Sequence, residues 1–127
     1  MKVKLVALAA LAAATVAPPA MAHHSFAMYD AAKKVTLEGT VHDWQWSNPH
    51  IFLELTVMQG GTPQEYSLEG GSPSLSRKRW GWTREMIKVG DKVTVVMEPL
   101  RDGRPGGSLQ SISMNGAPVG DPSLIER

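Results

Sequence analysis

The chain has 127 residues and carries 13 Lys and Arg against 12 Asp and Glu, a formal net charge of +1. A length of this order fits one domain with a single hydrophobic core, and a near-neutral charge disfavours non-specific binding to nucleic acid or to an anionic membrane. The sequence contains no cysteine, which excludes disulfide bonds and thiolate metal sites.

The first 22 residues have the pattern of a secretory signal peptide. Two lysines precede an apolar run over residues 5–17, and the tripeptide Ala20-Met21-Ala22 supplies small side chains where signal peptidase requires them. The run is too short to span a bilayer core of about 30 Å, which argues against an N-terminal anchor. We therefore expect a soluble periplasmic product that begins at His23 and does not associate with the membrane. This mature chain of 105 residues would carry 11 basic and 12 acidic side chains, a net charge of −1.

Strand patterns begin after a short arm. Residues 23–34 show no periodicity and are predicted to lead into the domain. Two runs of alternating apolar and polar residues come next, around 35–42 and 51–58, separated by the turn-type tripeptide Ser47-Asn48-Pro49. They predict a β-hairpin. Gly39, inside the first run, predicts a bulge or a sharp bend.

The rest of the chain alternates short strand patterns with turn signals. Ser72-Pro73 has the order of an N-cap and a first helical residue, and it predicts a short helix over residues 73–80, with a further helical turn near 83–88. Residues 116–127 contain two prolines and are predicted to be a frayed tail. Strand patterns occupy residues 64–69, 92–98 and 108–115.

The predicted order within residues 35–115 is three strands, a short helix and two further strands. This is the layout of the OB-fold, the oligonucleotide- and oligosaccharide-binding barrel. The predicted fold is therefore all-β: a small five-stranded OB-fold-like barrel with one short helix between strands three and four. An open sheet or a two-sheet sandwich is the alternative arrangement.

The chain resembles a known family through a specific order of motifs. These extend over about residues 23–109 and read AHHSFAMYD, VTLEGTV, WSNPH, LEGGSPS, RKRWGWT, VGDKVTV and PLRDGRPGGSL. They are similar to the motifs of a family of small exported bacterial proteins of unknown function. The resemblance implies export and a shared fold, and it assigns no activity and no catalytic residue.

A second resemblance is architectural. The periplasmic OB-fold copper chaperones of copper and silver efflux systems are also small exported barrels, and they bind the metal with His, Met and a Trp. This chain is rich in the same residue types. It does not match their motif position by position, so the likeness is an analogy at the level of the fold.

His23 is the first candidate for a metal ligand, because signal cleavage would place it at the N-terminus. A terminal His can bind one metal through its amine and its ring Nδ1, and an imidazole from His24 or His50 would add a further nitrogen. Nitrogen sites of this kind favour Cu(II) among first-row ions, and metal can displace the proton of a terminal amine with an ordinary pKa of about 7.7–8.0. We therefore expect a copper ion as the cofactor. The alternative is a loose arm whose histidines merely follow the cleavage site.

The predicted hairpin supplies a second candidate site. With a loop at residues 47–49, the expected cross-strand pairs are Trp46 with His50, Trp44 with Phe52, and His42 with Glu54. These six side chains would share one face, opposite Ile51, Leu53 and Leu55. An exposed patch of this kind marks a binding surface for a small ligand, a glycan or a partner protein. Packing of the same face into the core is the alternative.

Motifs for catalysis are missing from the sequence. Residues 70–74 lack the last glycine of a nucleophile elbow, and the glycines of the 101–107 loop do not have phosphate-loop spacing. The basic run at 77–79 beside Trp80 and Trp82 is interpreted as a solvated helix face rather than a nucleic-acid site. The sequence thus predicts a non-enzymatic periplasmic protein that binds a metal, copper above all, for carriage or tolerance. A non-metal binding module that uses the aromatic face is the alternative.

Overall fold

The computed structural model describes residues 26–124, whose architecture is a five-stranded barrel. Its strands are β1 (Val35–Gln45), β2 (Phe52–Gln59), β3 (Thr62–Glu69), β4 (Lys92–Pro99) and β5 (Gly106–Met114). The helix α1 (Pro73–Trp80) lies between β3 and β4, and a two-residue strand, β6 (Ala117–Pro118), pairs with β5. Short 3₁₀ turns occur at Phe26–Met28, Arg84–Met86 and Pro122–Leu124. Over this range, every helix is too short or too polar to cross a lipid bilayer.

The barrel closes because β1 changes partners along its length. Its first half pairs antiparallel with β4 and its second half with β2, and Thr40 belongs to both ladders, opposite Lys92 and Thr56. The end of β3 pairs in parallel with β5, while β3 also pairs with β2 and β5 with β4. These pairings complete a ring of five strands. The all-β, OB-fold-like barrel predicted from the sequence is confirmed, with its helix between the third and fourth strands.

Gly39 lies where β1 passes close to β2. A Cβ atom built at this position would be 3.0 Å from the carbonyl oxygen of Thr56, so glycine permits the close approach. The bulge of β1 lies elsewhere. The register of the pairing with β2 shifts between Val41 and Asp43, which makes His42 the extra residue.

Alternating apolar residues of β2 and β4 form the centre of the core. Leu53 and Leu55 of β2 and Val95 of β4 are fully buried, and the residues between them along each strand are half-buried. Trp82, in the segment that follows α1, belongs to the same core cluster. Because burying an aliphatic side chain of this size contributes roughly 1.5–3 kcal/mol, the inner barrel face dominates the stability of the fold.

The helix begins where the sequence predicts. Ser72 has an extended backbone, and its hydroxyl accepts a hydrogen bond from the N–H of Leu75, while Pro73 takes the first helical position. Gly81 ends the helix in the left-handed conformation, with φ 70°. Trp80 is buried at the last helical position, so the C-terminal end of α1 is attached to the barrel.

The arm before β1 is packed on the barrel from residue 26 onwards. Tyr29 forms an isolated antiparallel bridge beside the end of β4 and is buried. The N–H of Arg101 donates to the carbonyl of Met28. Residues 28 and 29 of the arm are therefore held against the barrel, whereas the histidines to which the loose-arm alternative refers lie outside the described range. Residues 1–25, which include the predicted signal peptide, lie outside the described range.

The prediction of a frayed tail is wrong for residues 116–124. The indole N–H of Trp82 donates to the carbonyl of Val119 at 3.0 Å, and the N–H of Val119 donates to the carbonyl of Ile112 in β5 at 2.8 Å. Val119 itself is buried. The tail is held in place because it supplies the acceptor that a buried indole needs. Residues 125–127 lie outside the described range.

Candidate functional site

A cleft of about 500 Å³ lies between the arm, the β1–β2 loop, α1 and β5. Polar side chains from distant parts of the chain line it, among them Tyr29, His50, Glu69, Arg79 and Gln110. Clefts of roughly this volume, with mixed apolar and polar walls, are typical of small-molecule sites. We therefore take it as the candidate functional site.

Two backbone hydrogen bonds fix the β1–β2 loop against the end of β3. The N–H of Gly70 donates to the carbonyl of Ile51, and the N–H of Ile51 donates to the carbonyl of Gly71, both at 2.9 Å. A larger residue does not fit at Gly70, because its Cβ atom would be 2.5 Å from Cγ1 of Ile51. The Gly-Gly pair therefore positions His50, the residue that precedes Ile51, in the cleft wall.

The carboxylate of Glu69 joins His50 to Tyr29. Nδ1 of His50 is 3.3 Å from one Glu69 oxygen and 3.1 Å from the carbonyl oxygen of Gly70, and the hydroxyl of Tyr29 donates to the other Glu69 oxygen. A carbonyl and an ionised carboxylate can only accept hydrogen bonds. The proton of a neutral His50 ring is therefore on Nδ1, and the ring lone pair is on Nε2. Metal-ligating histidines in proteins are oriented by hydrogen bonds of the same kind.

Burial raises the pKa of Tyr29 above its ordinary value, and the hydrogen bond to Glu69 and the negative charge of that residue raise it further. The hydroxyl is thus a donor at neutral pH. The side chain of Glu69 is 11% exposed, and the hydrogen bond from Tyr29 and the nearby His50 ring compensate for the loss of its hydration. The network ties the arm to the end of β3.

The α1 wall of the cleft is aromatic and cationic. The guanidinium carbon of Arg79 lies 4.8 Å from the centroid of the Trp80 ring, which is a cation–π distance. Trp80 in turn stacks on Trp82, with centroids 4.5 Å apart and ring planes at 11°. None of the ion pairs formed within residues 26–124 includes Arg79.

One of the three predicted metal ligands lines this cleft. That residue is His50, whereas His23 and His24 lie outside the described range. Among the residues that the structure describes, no three side chains of His, Asp or Glu lie close enough to hold one metal ion. Side chains of these types within residues 26–124 therefore do not by themselves complete a three-ligand metal site at His50.

The six residues predicted to form an aromatic face do not share one. Trp44 pairs with Leu53 and not with Phe52, and directly opposite residues project to the same side of a sheet. Trp44 therefore lies on the core side with Leu53, and Phe52 lies on the other side. The bulge at His42 is the cause, because one extra residue inverts which of the subsequent side chains face inwards.

The other members of the predicted face are correspondingly scattered. Trp46 packs against the core with Trp44, the two ring centroids being 5.5 Å apart. His42 is exposed, Glu54 is half-buried on the outer surface of β2, and His50 lies in the cleft. Core packing, the alternative for this face, is thus observed for both tryptophans.

Three cleft residues are not evident from the sequence. Tyr29 lies in a segment without periodicity, Glu69 ends a short strand, and Arg79 belongs to the basic run that the sequence pattern assigns to a solvated helix face. The one available signal is the pair Gly70-Gly71, since consecutive glycines after a strand indicate a close approach of two backbones. This signal points to Glu69, which directly precedes the pair.

Among solved structures, the chain is similar to the mitochondrial single-stranded DNA-binding protein Rim1 from S. cerevisiae. The two are 12% identical, with a TM-score of 0.47, and the similarity covers 70% of this chain and 97% of that chain. No curated protein matches the chain. Residues 10–110, well over half of the chain, match DUF6152, a family of unknown function. The chain therefore belongs to this family of unknown function, DUF6152.

Proposed function

We propose that this small barrel is exported to the periplasm and binds a copper ion there, in metal carriage or tolerance rather than in catalysis. The ligands are the amine and ring of His23 after signal cleavage, together with the ring of His50. His24 is the alternative donor from the arm. The observation that carries the proposal is the contact of His50 Nδ1 with the Gly70 carbonyl at 3.1 Å.

The geometry around His50 supports a role as ligand. With its proton on Nδ1, directed at Gly70 and Glu69, the ring has its lone pair on Nε2, which is the nitrogen that binds the metal. A hydrogen-bonded Nδ1 both fixes the ring orientation and makes the other nitrogen more basic. Imidazole and amine nitrogens together favour copper over the earlier first-row ions.

The course of the arm supports the participation of His23. Tyr29 lines the cleft and shares the Glu69 carboxylate with His50. His23 precedes Tyr29 by six positions, and six extended residues reach at most about 20 Å. This length is sufficient for the predicted N-terminus of the mature protein to reach the cleft that His50 lines.

We expect no nucleic-acid partner. OB-folds bind oligonucleotides on the face formed by their second and third strands. Here the outer surface of β2 and β3 carries Glu54 and Glu65, which accept hydrogen bonds from Ser67 and Thr56. Carboxylates at these positions repel a phosphate backbone, whose neutralisation dominates the affinity for nucleic acid.

The proposal is tested by titrating mature protein that begins at His23 with Cu(II) and comparing two single substitutions. His50→Ala is expected to weaken Cu(II) binding by more than the roughly 10–100-fold typical of losing a residue that only orients a ligand. His42→Ala is the matched control, because His42 is an exposed histidine at the bulge of β1. Equal losses in the two variants, or none in His50→Ala, would contradict a site at His50. Circular dichroism of both variants checks that the barrel is retained.

A further inference from the structure

We infer that the cleft also binds a small organic monocarboxylate, which is held by the guanidinium of Arg79 while its apolar body lies against the walls. This inference goes beyond copper binding and does not depend on it. It rests on three properties of the described cleft: its walls, the geometry of Arg79, and the pairing of the charges around it.

The walls suit a ligand with an apolar body. Pro49, Leu75, Trp80 and Leu109 line the same space of about 500 Å³ as the polar groups. Leu75 is one of the few large apolar side chains in the described chain that are exposed, at 48%. A ligand that covers it gains free energy from burying apolar surface, and the volume is in the range of small-molecule sites.

The geometry of Arg79 suits a planar anion. Its guanidinium lies over the face of Trp80, which is itself buried and stacked on Trp82. A guanidinium in cation–π contact with a ring still has its N–H donors, and pairs of these match the two oxygens of a carboxylate. The ring beneath limits the freedom of the arginine, so less conformational entropy is lost when a ligand binds.

The pairing of charged side chains in the cleft indicates that its ligand is an anion and that this anion carries a single charge. Both carboxylates that line the cleft have partners: Glu69 accepts a hydrogen bond from Tyr29 and lies 3.3 Å from Nδ1 of His50, and Glu98 pairs with Lys34. Arg79 takes part in none of the ion pairs of the described chain. The arginine therefore has its positive charge available to a ligand. The two nearby carboxylates repel a dianion such as phosphate more strongly than a singly charged carboxylate.

The experiment uses metal-free mature protein in the presence of a chelator, so that its outcome is independent of copper. Phenylacetate is the probe, its neutral analogue phenylacetamide is the control ligand, and inorganic phosphate is the competing anion. Binding is followed by tryptophan fluorescence, because Trp80 forms part of the wall, and by amide chemical shifts. We expect phenylacetate to bind at least about tenfold more tightly than the amide or phosphate, as loss of a charge-assisted hydrogen bond predicts.

Two substitutions on α1 locate the site. Arg79→Gln is expected to weaken phenylacetate binding at least about tenfold, whereas Arg77→Gln removes an equal charge from the same helix outside the cleft and is expected to leave it unchanged. Both residues are exposed, so neither change threatens the fold. The inference is overturned if phenylacetate does not bind, if it binds no better than its amide, or if the two variants lose affinity equally. Equal losses in the two variants would indicate that phenylacetate is attracted to the positive charge of α1 in general and not to Arg79 in particular.

Discussion

The hydroxyl of Tyr29 donates a hydrogen bond to the carboxylate of Glu69, which lies 40 positions further along the chain. This contact joins the segment that follows the predicted signal peptide to the end of β3. It also places the arm beside His50, which contacts the other oxygen of the same carboxylate. The arm is thus part of the candidate site as well as part of the fold.

Removing the Tyr29 hydroxyl is expected to destabilise the protein. Tyr29→Phe deprives a mostly buried carboxylate of a donor, and the expected loss in the free energy of unfolding is about 1–3 kcal/mol, measured by urea denaturation at neutral pH. Tyr66→Phe is the control, because the Tyr66 hydroxyl accepts an exposed hydrogen bond from Gln59, and its effect is expected to stay within about 0.5 kcal/mol. Similar losses of unfolding free energy in both variants would show that the hydrogen bond from Tyr29 to Glu69 contributes no more to stability than an exposed hydrogen bond does.

The raised pKa of Tyr29 predicts how the stability of the protein changes in alkaline solution. The pKa of Tyr29 is raised in the folded state by burial and by Glu69, whereas an unfolded tyrosine titrates near about 10. Above that pH the unfolded chain loses a proton that the folded chain retains, so the stabilisation from this group declines as pH rises. The difference in unfolding free energy between wild type and Tyr29→Phe is expected to shrink from about pH 8 to about pH 11. A constant or growing difference would contradict the raised pKa.

The C-terminal segment is expected to be required for stability. A chain that ends at Asn115 loses buried Val119 and leaves the indole N–H of Trp82 without its acceptor. We expect it to be less stable than a chain that ends at Leu124 by at least about 2.5 kcal/mol, the sum of the lower estimates for a buried valine and for an unsatisfied buried donor. Thermal unfolding of the two chains measures this difference in stability. Equal unfolding midpoints would mean that the C-terminal segment does not stabilise the barrel, as expected of a frayed tail.

The order of elements could be predicted because its signals are local. Alternation along β2 and β4, and the Ser72-Pro73 helix start, depend on neighbouring residues only. The register of the β1–β2 hairpin could not be predicted in this way. A single extra residue at His42 inverts the faces of the residues after it, and nothing in the alternating pattern marks that position.

The sequence did not predict the ordered tail or the cleft, because the contacts that form them join residues far apart in the chain. The tail is ordered because Trp82 and Val119 meet, 37 positions apart, and two prolines near the C-terminus give no indication of this. The cleft is likewise assembled from residues that are distant in sequence. Only His50, recognised for its chemistry, could be singled out in advance, whereas Tyr29 and Arg79 become site residues through the fold alone.

The measurement that tests the central claim most directly compares Cu(II) affinity in two forms of the protein. One begins at His23, as verified by intact mass, and the other carries one additional residue before it. Every side chain is retained in the second form, but the amine of His23 becomes an amide, which is a poor donor, and the chelate between amine and ring is lost. We expect the extended form to bind Cu(II) at least about tenfold more weakly. Equal affinities in the two forms would contradict the proposed site at the terminal amine.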